Sequence, residues 1–152
     1  MHEFADRLLS KRRKGAFRSR PVFERYAEVA AEELAATSQR IGRPIPPDFA
    51  SWLTLVGYGD IDQTLSFRSE WFQPVQEGEL RGGLLFAQDE VGNFYAFGPT
   101  GEAVVFFSRT EPTHAVLASS FREFLVELER RDYKLIDWVD SLEMLPYAWT
   151  AA

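Results

Sequence analysis

The segments "TLSF" (64–67), "GLLFA" (83–87), "NFYAF" (93–97) and "AVVFF" (103–107) are short and rich in β-branched or aromatic residues. Turn signals separate them at Gly82-Gly83, Val91-Gly92-Asn93 and Gly98-Pro99-Thr100-Gly101. A parallel crossover needs a dozen or more residues, so strands joined this closely pair antiparallel. "HAVLA" (114–118) extends the series as an edge strand.

Helical patterns lie on both sides of this meander. Phe23, Tyr26, Ala27, Ala30 and Leu34 fall at helical spacing after Pro21, and Gly42 supplies a stop. In "RPIPPDFASWLTLVGYGD", Pro47 suits a first helical position and Asp48 suits the positive helix end. Phe49, Trp52, Leu53 and Val56 then recur as i, i+3, i+4, i+7, and Gly57 and Gly59 end the run. "ASSFREFLVELERRDYK" opens with a capping box, Ser120 capping and Glu123 reaching back, before an apolar face of Phe121, Phe124, Leu125 and Leu128. A last helix over Leu135 to Leu145 places Leu135, Trp138, Val139 and Leu142 on one side and Asp137, Asp140 and Glu143 on the other. These elements predict an α+β fold, a central antiparallel sheet flanked by helices. The 152 residues fit one domain. Residues 1–20 form a basic N-terminal extension, 21–134 the α+β body, and 135–152 a helical extension packed on that body.

The Asp-Glu-Val-Gly-Asn cluster between two of the strands raises the question of chemistry. An EF-type calcium loop needs glycine at its sixth position and glutamate at its twelfth; counted from Asp89, glycine is fourth and the twelfth residue is Thr100. A glycosidase holds its two carboxylates about 5 to 10 Å apart across a cleft, whereas adjacent acids on a turn splay. The cluster therefore reads as a hairpin bend in which Gly92 or Asn93 takes positive φ. The chain has no G-x-S-x-G, Walker, G-x-G-x-x-G or H-E-x-x-H motif and no cysteine, and its two histidines, His2 and His114, stand far apart. His114 reads as an ordinary strand-edge residue. No catalytic residue, metal ligand or cofactor is expected.

Charge narrows the partners. Residues 1–26 carry eight Lys/Arg against three acids, and the remainder nine against twenty, a body of −11 within a net charge of −6. Such a body repels nucleic acid and draws basic partners. The stretch "KRRKGAFRSR" (11–20) has the charge of a phosphate-gripping arm but no interleaved aromatic platform, so it reads as a solvated segment lying on the acidic body. No apolar run nears the ~18 residues of a membrane span, and the N-terminus lacks a signal peptide's order. A cytoplasmic protein that binds neither membrane nor nucleic acid is expected. Nothing in the sequence specifies an oligomeric state.

The order of "IGRPIPPDFASWLTLVGYGDI", "GLLFAQDEVGNFYAFGPTGEAVVFFSRTE" and "LASSFREFLVEL" resembles the SUKH superfamily, named partly for a yeast cell-wall synthesis regulator, over residues 22–130. The matching positions are Pro46, Trp52, Leu53, Gly57, Gly59, Gly92, Phe121, Phe124 and Leu125, all structural. Where the family commonly has Asn-Gly after the first proline-led helix, this chain has Val56-Gly57-Tyr58-Gly59. The basic N-terminal extension is a further departure. The resemblance implies a non-enzymatic α+β domain, among whose bacterial members are immunity proteins that neutralise toxins, often nucleases, and whose eukaryotic members resemble regulatory scaffolds.

The leading expectation is thus an immunity protein that covers a basic nuclease-type toxin domain with an acidic surface. The alternative is a regulatory scaffold that binds a housekeeping partner through the basic arm or the 135–145 helix. Acids expected on turns and loops supply the candidate contacts: Asp60, Asp62, Glu70, Glu77, Glu79, Asp89 and Glu90, with Trp71 as an aromatic anchor.

Overall fold

The protein is described by a computed structural model covering residues 1–149; residues 150–152, the end of the expected C-terminal extension, lie outside the described residues. The chain begins with α1 (His2–Ser10), which buries Ala5 and Leu8. A hairpin of β1 (Arg12–Lys14) and β2 (Ser19–Pro21) follows. Residues 1–20, expected as a basic extension, therefore fold, burying Ala5 and Leu8 in the main core and packing Met1 and Phe4 against it.

A second correction concerns the helix expected from Phe23. Phe23–Ala27 is instead a strand, β3, and the helix, α2 (Ala31–Ile41), starts beyond it. The spacing of Phe23, Tyr26 and Ala27 fits a helix locally, but pairing with a neighbouring strand overrides it. Phe23 is buried, with its ring edge-on to Trp52 at 6.3 Å, while Tyr26 and Ala27 face solvent. Gly42 ends α2 in the left-handed region at φ 75°.

α3 (Pro47–Val56) forms where the proline entry predicts it and buries Phe49, Trp52, Leu53 and Val56. Phe49 lies among the rings of Trp52, Phe67, Phe72, Phe86, Phe97 and Phe121, at centroid distances of 4.9 to 6.4 Å. Directly after α3 comes β4 (Tyr58–Ile61), a strand that two glycines had disguised as a turn. Gly57 stops the helix at φ 88°. Gly59 lets β3 and β4 approach, since a Cβ there would sit 2.1 Å from the Glu24 carbonyl oxygen.

The meander continues through β5 (Leu65–Phe67), a 3₁₀ turn (Ser69–Trp71), β6 (Gln73–Pro74), β7 (Leu84–Asp89), β8 (Phe94–Phe97), β9 (Val104–Phe107) and β10 (Thr113–Ala118). α4 (Phe121–Arg130), α5 (Leu135–Asp140) and β11 (Leu145–Pro146) complete the described elements. The sheet runs β11-β10-β9-β8-β7-β5-β4-β3, with β6 sharing an edge of β7 with β5, and its pairs are antiparallel. This is the α+β architecture expected. β10 is not an edge strand, because β11 pairs with its outer side. The last helix ends at Asp140 rather than Leu145; Leu135, Trp138 and Val139 are buried, and the chain then turns to supply β11. At α4, Ser120 Oγ accepts from the Glu123 amide at 3.1 Å, while the Glu123 carboxylate accepts from the amide of Ser119, one residue before the cap.

Alternation along the strands gives the sheet two different faces. The inner face carries Phe23, Ile61, Leu65, Phe67, Phe86, Phe97 and Phe106 into the main core with the helices. On the outer face the β8–β9 half is apolar: Ala96, Val105 and Phe107 pack with Val75 and Tyr147 from the loop and tail that cross it. This double burial explains why β9 reads as an unbroken apolar run. No helix among the described residues is long and apolar enough to cross a membrane.

Candidate functional site

The eight candidate contact residues fall into separate surroundings. Asp89 is only 7% exposed, and its carboxylate is occupied within the protein. It accepts from the amides of Val91 and Asn93 at 3.1 and 3.0 Å and from the Tyr95 hydroxyl at 2.9 Å. The expectation that Asp89 is a surface contact is therefore corrected: its carboxylate folds the hairpin, with Gly92 at φ 86°, and Glu90 beside it is exposed. Burial, and then the charge of Asp89, push the Tyr95 hydroxyl pKa upward.

Asp62 is also engaged internally. Its carboxylate accepts from Arg13 at 3.1 Å and Arg20 at 2.9 Å, tying the β1–β2 hairpin to the sheet. Arg13 also reaches the Asp132 carboxylate and carbonyl. Glu77 and Glu79 lie on the loop over the outer face, where Tyr147 donates to the Glu77 carbonyl at 2.6 Å. Glu79 stands 3.6 Å from His114 Nε2. His114, expected at a strand edge, is in an interior strand, and its Nδ1 is buried with no hydrogen-bond partner among the described residues.

The remaining three, Asp60, Glu70 and Trp71, converge through two residues that were not candidates, Tyr26 and Arg68. Tyr26 sits at a β-bulge, where the β3–β4 register shifts between Arg25 and Ala27, and it is 47% exposed. Its hydroxyl donates to the Asp60 carboxylate, which also accepts from Ser66 on the next strand. The Arg68 guanidinium lies 4.6 Å from the Tyr26 ring centroid and 5.4 Å from that of Trp71, between two aromatic faces. Arg68 makes no ion pair among the described residues, and its Nε is buried without a hydrogen-bond partner. The 3₁₀ turn that carries Glu70 and Trp71 is held from α2 by Arg40, which donates to the carbonyls of Ser69 and Phe72.

Acids surround this stack. Glu24 is directly opposite Asp60 across the β3–β4 pair, on the outer face, an arrangement of like charges that costs stability. Glu33 in the first turn of α2 lines the same shallow depression as Glu70 and Arg40. The Tyr58 hydroxyl near them is buried without a partner, and its pKa is pushed up to about 12, chiefly by burial, with Glu33 and Glu70 raising it and Arg40 opposing. Glu24, Glu28, Glu32, Glu33 and Glu70 form no ion pair among the described residues. An open, acidic sheet edge with an aromatic–cation stack suits contact with a macromolecule. Sequence alone does not single out Tyr26 and Arg68, because the first falls at helical spacing and the second lies outside the acidic pattern.

Among the described residues no group of three or more His, Asp or Glu side chains is placed to hold a metal ion. Comparison with curated proteins and with solved structures finds no significant match. Comparison with family models matches residues 28–127, from the link before α2 into α4, to the SMI1/KNR4 family (SUKH-1). That span takes in the proline-led α3, the Gly57 and Gly59 junction, the hairpin built on Asp89 and the Ser120-capped α4, and it covers most of the sequence: the chain belongs to the SMI1/KNR4 family.

Proposed function

We propose that this protein neutralises a nuclease-type toxin by binding it directly, and that the edge built from Tyr26, Asp60, Arg68, Glu70 and Trp71 is the contact surface. The observation that carries the reading is the Tyr26–Arg68–Trp71 stack beside Glu24, Glu33 and Glu70, acids that form no ion pair among the described residues. A nuclease binds phosphate, so its active face is basic. Glu24, Glu33 and Glu70 speed encounter with such a face through long-range attraction and then occupy the place of the phosphates. Trp71 and Tyr26 supply aromatic area of the kind that dominates interface energetics, and Arg68 takes a carboxylate or carbonyl of the toxin into its unspent donors.

The test is affinity capture from lysate of the source organism and of competing strains, washed at low and high salt, followed by an inhibition assay on any nuclease recovered. The expected result is a basic toxin domain released mainly by salt and inhibited by the pure protein. Capture of a resident partner that withstands salt, together with no protection against any recovered nuclease, points to the scaffold and sinks the proposal.

A further inference from the structure

The β1–β2 hairpin lies outside the family-matched span and ends in a fully exposed aromatic. Gly15 donates to the Arg18 carbonyl at 3.0 Å and closes the turn, leaving Phe17 at the tip with 100% of its surface exposed. The hairpin is not a loose tail. Arg13 and Arg20 pin it to Asp62, Arg13 also to Asp132, and Val22 donates to the Lys11 carbonyl at 3.0 Å. Lys14 and Arg18, on either side of the tip, have no carboxylate within ion-pair distance among the described residues. A positively charged, anchored hairpin thus presents one apolar ring to solvent.

The same chain carries a complementary receptor. On the outer sheet face, Val75, Leu85, Phe94, Phe107 and Trp149 line an open groove of about 290 Å³, with Glu77 and Arg109 as its charged lining residues. That volume and its aromatic lining suit a phenylalanine side chain. Glu79 follows Glu77 on the same loop and adds a second carboxylate. The hairpin is basic in a chain whose remainder is strongly acidic, so the surface on the page that complements it is this protein's own.

We propose that Phe17 of one copy enters this groove on a second copy, with Lys14 and Arg18 over Glu77 and Glu79, and that two reciprocal contacts close a dimer. Reciprocity satisfies both hairpins at once and avoids an open filament. The contact is independent of the toxin-binding reading.

Sedimentation velocity of the full chain over rising concentration, at low and high salt, tests the proposal. The wild type is expected to sediment as a dimer whose affinity falls with salt. Phe17→Ser removes the anchor and weakens association by about tenfold or more. It leaves the circular dichroism spectrum unchanged, since Phe17 is fully exposed. Glu77→Lys, which faces Lys14 and Arg18 with a like charge, weakens association without touching the hairpin. A wild type that stays monomeric at every concentration overturns the proposal, as does a Phe17→Ser variant that dimerises as tightly as wild type. A monomer that instead binds phosphatidylserine vesicles or a single-stranded oligonucleotide through Phe17 gives the hairpin another occupant, and equally overturns it.

Discussion

Asp62 holds Arg13 at 3.1 Å across 49 positions of sequence, and the same carboxylate takes Arg20 at 2.9 Å. One acid at a tight turn thereby fixes the hairpin that precedes the family-matched region. Asp62 itself has φ 51°, a conformation asparagine also tolerates. Asp62→Asn therefore removes charge while sparing the turn. The expected cost is about 1–2 kcal/mol, between that of an exposed pair and that of a fully buried one. Faster trypsin cleavage at Lys14 and Arg18 accompanies it, and equal cleavage rates in the variant and wild type disprove the anchoring role.

The Asp89 turn makes a second, contrasting prediction. Asp89→Ala leaves the buried Tyr95 hydroxyl and the amides of Val91 and Asn93 without their acceptor. A loss of about 1–3 kcal/mol in denaturant unfolding is expected, with partner affinity preserved where the variant is folded. Glu90→Gln changes an exposed side chain and leaves stability within about 0.5 kcal/mol. If the two variants unfold at the same denaturant concentration, Asp89 does not organise the hairpin.

These two acids show what the sequence makes legible. The hairpin around Gly92 could be read because local turn chemistry and apolar flanks agree on it, as they do at α3, where prolines, apolar spacing and glycines point the same way. The roles within that hairpin were less visible: nothing adjacent distinguishes Asp89 from Glu90, and only the inward register of β7 sends the first carboxylate to Tyr95. The β1–β2 hairpin has no alternating apolar pattern to announce it and depends on ion pairs to Asp62 and Asp132, distant in sequence. Likewise β3 looks helical until β4 is set beside it, and only that pairing, with its bulge between Arg25 and Ala27, marks Tyr26 as a surface residue of the sheet.

The pH dependence of stability tests the ion pairs on α4. Hydrogen bonds from Arg130 and then Arg131 lower the Glu127 carboxyl from its ordinary 4.5 to about 2. A folded value below the unfolded one gives stability that is complete above about pH 4.5 and is lost as pH falls through about 2. Arg13, through its hydrogen bond, shifts Asp132 in the same direction. Because the Glu127 side chain is 27% exposed and its partners are solvated, the contribution stays under about 1 kcal/mol. The melting temperature of Glu127→Gln is expected below that of wild type at pH 6, with the gap closing near pH 2. A constant gap across that range removes the charge from the explanation.

The surface around Arg68 separates steering from anchoring once a toxin partner is in hand. Glu33 and Glu70 are exposed and unpaired among the described residues, so Glu33→Gln with Glu70→Gln is expected to slow association and flatten its salt dependence, leaving dissociation nearly unchanged. Trp71→Ala acts on the other rate. It removes one of the two rings flanking Arg68 and the aromatic area the partner would cover, and a hot-spot loss of about 2 kcal/mol corresponds to roughly 30-fold faster dissociation. Arg68→Lys keeps the charge but loses the planar guanidinium that stacks between Tyr26 and Trp71, so it should resemble Trp71→Ala rather than the glutamine pair. Stopped-flow association and dissociation rates at two salt concentrations distinguish these effects. Wild-type rates in all three variants would place the toxin contact elsewhere on the molecule.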